Sequence, residues 1–121
     1  MKASVYLVED DHNFGSVLKA YLTMNGYAVE WAQDGQSAMD QFTPGGFDLC
    51  IIDVMLPKVD GFSVANFIRE QDSEVPFIFL TAKKLKQDIL KGYKAGGDDY
   101  ITKPFDSEVL LYKIAAILKR K

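Results

Sequence analysis

Short apolar runs alternate along the whole chain with longer stretches in which apolar side chains recur every three or four positions. Val5 to Val8 is the first run. Phe14, Val17, Leu18, Tyr21 and Leu22 follow at helical spacing, with Asp11 placed to cap the helix and Gly26 to close it. Tyr27 to Trp31 predicts a second strand. Asp34-Gly35 then turns into a short helix carrying Ala38, Met39 and Phe42, stopped at Pro44-Gly45-Gly46. Leu49 to Ile52 is apolar on consecutive residues, the pattern of a central strand covered on both faces.

Beyond a loop from Asp53 to Gly61, Phe62, Val64, Ala65, Phe67 and Ile68 predict a third helix, and Pro76 opens a strand from Phe77 to Leu80. The lysine-rich segment from Lys83 to Ala95 predicts a fourth helix, ended by Gly96-Gly97. Tyr100 to Thr102 reads as a fifth strand, and Asp106 caps a last helix running through Leu118. Strands and helices alternating at this spacing predict a (βα)5 unit, a parallel sheet with helices on both faces. No linker, repeat or low-complexity stretch interrupts it, so residues 1–121 predict one domain, large enough to bury a core without staples.

In an open parallel sheet, ligands bind beyond the carboxyl ends of the strands. Glu9 and Asp10 follow the first strand, Asp53 the third and Lys103 the fifth, so these charges are expected to converge in one pocket. Crowded carboxylates repel one another unless a cation neutralises them, and hard oxygen ligands favour magnesium or calcium. A lysine beside that cation completes an anion site. The arrangement predicts phosphoryl chemistry on an aspartate, with Asp53 as nucleophile: a carboxylate can attack a phosphoryl group and hold it as an acyl phosphate. Lys103 would stabilise charge on the transferred oxygens, and Thr81, at the end of the fourth strand, offers them a hydroxyl. Tyr100 is on pattern a strand aromatic. Asp11 adjoins the acidic pair and reads as a helix N-cap.

Composition narrows the setting. A net charge of −3 argues against a domain that binds nucleic acid through its whole surface. The single cysteine, Cys50, lies inside an apolar run, which rules out an internal disulfide framework and reads as packing in a reducing compartment. Met1-Lys2-Ala3-Ser4 is too short before the first polar break for a secretory signal, and no apolar run approaches the ~20 residues of a membrane helix. A cytoplasmic location is expected.

Leu7-Val8-Glu9-Asp10-Asp11, Ile52-Asp53-Val54-Met55-Leu56-Pro57 with Asp60-Gly61, Leu80-Thr81-Ala82, and Gly97 through Phe105 occur in this order over the whole chain. Together they resemble the receiver domain of bacterial two-component response regulators, most closely those of the OmpR/PhoB class of winged-helix transcription factors. The resemblance implies a flavodoxin-like, doubly wound sheet of order 2-1-3-4-5. It implies Mg2+ held directly by Asp10 and Asp53 and by the Met55 backbone carbonyl, with Glu9 acting through a metal-bound water. It implies a cis Lys103–Pro104 peptide that aims the lysine at the acceptor, and Thr81 and Tyr100 as coupled switch residues. The function implied is phosphorelay: Mg2+-dependent acceptance of a phosphoryl group from a sensor histidine kinase onto Asp53. The domain would be a switch with self-catalysed phosphotransfer and autodephosphorylation, rather than an enzyme acting on a separate substrate.

By the same resemblance, two receivers pair symmetrically through the fourth helix, fifth strand and last helix. The chain departs from the class pattern on this face. Asp98, Asp99 and Lys113 keep charges there, whereas Lys94 sits where an acid is common and Val109 and Ala115 replace charged residues. The expectation is a weak, phosphorylation-enhanced homodimer resting on apolar contacts around Ile89, Leu90 and Tyr93. Lys119-Arg120-Lys121 fits a linker into a C-terminal DNA-binding domain, so DNA binding and transcription control would belong to a longer parent protein.

Four other readings are weighed against this pattern. A flavodoxin-like cofactor carrier needs phosphate-cradling donors after the first strand, where Glu9-Asp10-Asp11 would repel a flavin phosphate. A phosphohydrolase with an aspartyl-phosphate intermediate commonly places a second acid two residues after its nucleophile, and Met55 stands there. A constitutive interaction module would be expected to lose the acidic pair, the acceptor or the lysine. A P-loop nucleotidase is excluded by the missing Gly-rich lysine motif.

Overall fold

Strand pairing brings the ends of five strands to one edge. The computed structural model describes residues 3–82 and 97–119, so the expected helix over 83–95, with Ile89, Leu90, Tyr93 and Lys94, lies outside the described residues, as do Gly96, Arg120 and Lys121. The strands β1 (Ser4–Val8), β2 (Ala28–Ala32), β3 (Leu49–Asp53), β4 (Phe77–Thr81) and β5 (Gly97–Thr102) form one 5-stranded sheet in the order β2-β1-β3-β4-β5, every pair parallel. The helices are α1 (His12–Met24), α2 (Gly35–Gln41), α3 (Gly61–Gln71) and a C-terminal helix, Ser107–Lys119. The doubly wound sheet and its strand order are as expected.

Local chemistry sets the boundaries. The carboxylates of Asp11, Asp34, Asp60 and Asp106 each accept a backbone N–H three residues on, which caps the four helices. Helix α1 ends as the sequence predicts, with Gly26 at a φ of 91° just past the Asn25 cap. Most other boundaries fall within a residue of the sequence reading, and three that differ have a visible cause. Strand β2 starts at Ala28, because the Tyr27 N–H is still taken by Leu22 O at 3.1 Å. Phe42 is the C-cap residue after α2, extended in backbone and outside the helix. Gly97 opens β5 instead of ending a helix: Gly97 and Asp99 pair with Phe77 and Ile78 of β4, while Asp98 Oδ2 accepts the Phe77 N–H at 2.9 Å. Gly-Asp-Asp has poor strand propensity, and pairing with a buried neighbour overrides it.

The sheet is covered on both faces. Val5, Leu7, Leu49, Ile51, Ile78 and Leu80 point toward α1 and the C-terminal helix, where Leu18, Leu22, Leu110 and Ile114 meet them. Tyr6, Val8, Cys50, Ile52, Phe77 and Phe79 point the other way, against Ala38 of α2 and Val64, Ala65 and Ile68 of α3. This period of two is what makes β3 and β4 read as unbroken apolar runs. Cys50 is a buried packing residue. Tyr6, wholly buried, spends its hydroxyl on Ala38 O at 2.8 Å and so ties β1 to α2. Among the described residues no helix is long and apolar enough to cross a membrane.

Candidate functional site

Register decides where the charged residues meet. Val8 pairs with Ile52, Asp53 with Leu80 and Thr81 with Thr102, so Glu9, Asp53, Thr81 and Lys103 leave the sheet along one edge. Lys103 is held there by its own N–H, which donates to Thr81 O at 2.9 Å. The Lys103–Pro104 peptide is cis, as expected. The Lys103 ammonium lies 2.5 Å from Asp53 Oδ2 and 2.5 Å from Glu9 Oε1. The first contact is a hydrogen bond; Glu9 Oε1 lies off the direction a hydrogen bond needs and meets the lysine as a charge alone.

The acids are unequally exposed. Glu9 and Asp53 are buried, whereas Asp10 is open to solvent, and one carboxylate oxygen from each lies within 4.8 Å of the other two. Asp53 Oδ1 accepts the Met55 N–H at 2.8 Å, and Glu9 Oε2 accepts the Asp11 N–H at 3.2 Å. Thr81 is buried at the end of β4, on the strand that pairs with Asp53. Tyr100 is half-buried, and its ring packs on Phe79 at 5.8 Å between centroids. The sequence-predicted site residues therefore share one end of the sheet, with Tyr100 set back along β5.

Two contributors were not assigned to the site from the sequence. Phe14 packs against the core as its spacing predicts, and its ring centre also lies 4.6 Å from the Lys103 ammonium, a cation–π contact. Its ring in turn meets Phe105 edge-on at 5.7 Å. The available signal is Asp11, whose carboxylate accepts the Phe14 N–H and so fixes the first turn of α1 beside the acidic pair. Gly61 was a motif position only. A Cβ there would come within 2.8 Å of the Asp53 carbonyl carbon and 2.9 Å of Val54 Cα, so only glycine lets α3 start this close behind Asp53.

Residues 5–115 match the response regulator receiver domain. The chain belongs to that family. It is 50% identical over 119 residues to the transcriptional regulatory protein RprY of Bacteroides fragilis, covering 98% of this chain and 50% of that protein. This receiver chain thus spans about half the length of the curated relatives it matches. Among solved structures, the non-phosphorylated HemR receiver domain from Leptospira biflexa shares 36% identity at a TM-score of 0.90, over 97% of this chain and 94% of that one. The receiver domain of a sensor histidine kinase from Pseudomonas aeruginosa, with a magnesium ion coordinated in its active-site cleft, shares 32% identity at a TM-score of 0.89, over 98% and 99% of the two chains.

Electrostatics in this receiver follow from crowding. Burial, reinforced by the neighbouring Asp53 carboxylate, pushes the Glu9 carboxyl up to about 8, against the opposing pull of Lys103. Burial alone would lower the Lys103 pKa, but the hydrogen bond to Asp53 and the charges of Asp53 and Glu9 outweigh it and raise it. One ammonium does not fully satisfy two buried carboxylates. A carboxyl whose pKa is raised on folding contributes stability that is complete below its unfolded value, about 4.5, and is lost as pH climbs through about 8. The metal-free domain is therefore expected to lose stability steadily across that window in urea unfolding at a series of pH values. Glu9→Gln should flatten the profile; an unchanged slope would show that another group carries it.

Proposed function

We propose that residues 1–121 form the phosphoacceptor domain of a longer cytoplasmic regulator, and that Asp53 takes a phosphoryl group from a phosphohistidine on a sensor histidine kinase. The observation that carries this reading is the meeting of Asp53, Glu9 and Lys103, with Asp10 alongside. One Asp53 oxygen is pinned by the Met55 N–H, which leaves the other to form the bond to phosphorus as the bond to the donor nitrogen breaks. Lys103, already 2.5 Å from that oxygen, shifts its charge onto the phosphoryl oxygens. Positioning and charge stabilisation supply most of the catalysis in such transfers.

The donor set supports Mg2+ as the cofactor. Three carboxylates with oxygens within 4.8 Å of one another are hard ligands, and the lysine leaves part of their charge unbalanced. Asp10, Asp53 and the Met55 carbonyl would hold the ion and Glu9 would act through a water; the ion supplies charge neutralisation at the transferred group. Thr81 then captures a phosphoryl oxygen with its hydroxyl, and Tyr100 turns inward behind it, so that phosphate shifts a two-state equilibrium. The output is a weak C2 homodimer through the face that includes β5 and the C-terminal helix. Lys113 on this face is spent within the chain, 3.2 Å from Asp99 Oδ1 and 2.7 Å from Tyr100 O, which supports few cross-subunit ion pairs. DNA binding and transcription control belong to a further domain of the parent protein.

Incubation with acetyl phosphate and Mg2+ is expected to add one phosphate by mass, and Asp53→Asn to abolish it. Labelling of that variant at the wild-type level would exclude Asp53 as acceptor. Thr81→Ala should still accept phosphate but lose the phosphate-induced change in backbone amide spectra; a wild-type response would disconnect Thr81 from the switch. Sedimentation with a beryllofluoride mimic should reveal a dimer little affected by salt, since exposed ion pairs contribute only ~0–1 kcal/mol each. A domain that stays monomeric at high concentration with the mimic bound would refute the dimer and leave the Asp53 chemistry standing.

A further inference from the structure

Trp31 is the only tryptophan in the sequence, and its side chain reaches the acidic turn from the edge strand. The indole Nε1–H donates to the backbone carbonyl of Glu9 at 2.8 Å. That carbonyl belongs to the peptide joining Glu9 to Asp10. The Glu9 N–H donates to Ala32 O at 3.1 Å, so the end of β2 grips Glu9 by both of its backbone groups.

The indole is itself fixed. Gly15 faces it from α1, where a Cβ would come within 2.7 Å of Trp31 Cε2 and 3.0 Å of Cη2. Glycine inside a helix is unfavourable relative to alanine, and room for the ring is the physical reason for it here. The His12 ring meets the indole edge-on, 5.7 Å between centroids. Helix α1, strand β2 and the acidic turn thus converge on one ring and one N–H.

We propose that Trp31 is a positioning residue for the metal site: by holding the Glu9–Asp10 peptide it sets the direction in which the exposed Asp10 carboxylate leaves the chain. Mg2+ tolerates little departure from octahedral geometry, so a solvent-exposed ligand depends on its backbone for aim. A partner that acts on a ligand from outside the coordination sphere commonly tunes metal affinity. The inference rests on the Mg2+ reading of the acidic cluster and adds to it a residue that touches neither the ion nor the phosphoryl group.

Calorimetric titration of the intact chain with Mg2+ tests it. Trp31→Phe keeps most of the ring and loses the N–H, and should weaken Mg2+ binding about three- to tenfold, the range expected for one lost hydrogen bond. Gly15→Ala keeps the N–H but crowds the ring, and should weaken binding in the same direction. In the wild-type chain the single indole N–H resonance should shift in step with Mg2+ saturation, and Asp10→Asn should abolish both the heat and the shift. A tryptophan that only packs would lower the unfolding midpoint of the variants without changing their Mg2+ affinity. Wild-type binding with unchanged affinity in Trp31→Phe, or an indole resonance that stays still as Mg2+ saturates, would overturn the positioning role and leave the metal site intact. A wild-type chain that binds no Mg2+ would overturn the metal site and, with it, the role of Trp31.

Discussion

Lys103 holds one ammonium between two buried carboxylates at the edge of the sheet, and much of this end of the molecule is arranged to allow it. Taking Asp53 and Glu9 out of water is unfavourable, and a lysine at 2.5 Å from each offsets it, together with the Met55 N–H on Asp53 and the Asp11 N–H on Glu9. The lysine in turn is anchored through Thr81 O, turned by the cis peptide before Pro104, and backed by the Phe14 ring. Each support comes from a different element, so the triad exists only when the strands are in register.

Register is enforced by the core rather than by the site. A one-residue slip of β3 would exchange Ile51 and Ile52 between the two faces and put apolar side chains against the wrong helices. The same slip would carry Asp53 away from Lys103. Packing energy distributed over both layers therefore holds a polar cluster that would not hold itself. Gly61 shows how close the fit is: the start of α3 lies so near Asp53 that a single methyl would collide with its carbonyl. The raised Glu9 pKa records the cost of burying this cluster, which falls chiefly on a carboxyl taken out of water.

The sequence by itself determined the element order, the doubly wound class and the identity of the charged residues at the strand ends. Period-two and helical spacing are local properties, and capping aspartates such as Asp11, Asp60 and Asp106 act within three residues of themselves. For that reason the helices among the described residues and the central strands were legible, along with the strand-end placement of the acidic pair, Asp53, Thr81 and Lys103. The tertiary structure decided the rest. Gly97 to Asp99 form strand only because β4 lies beside them, and Phe42 ends outside its helix. Phe14 and Trp31 look like ordinary apolar positions until α1 and β2 fold against the strand ends: Trp31 meets Glu9 across 22 residues of sequence, and Phe14 meets Lys103 across a longer span still. Contacts of that separation depend on how layers pack, which no local pattern carries.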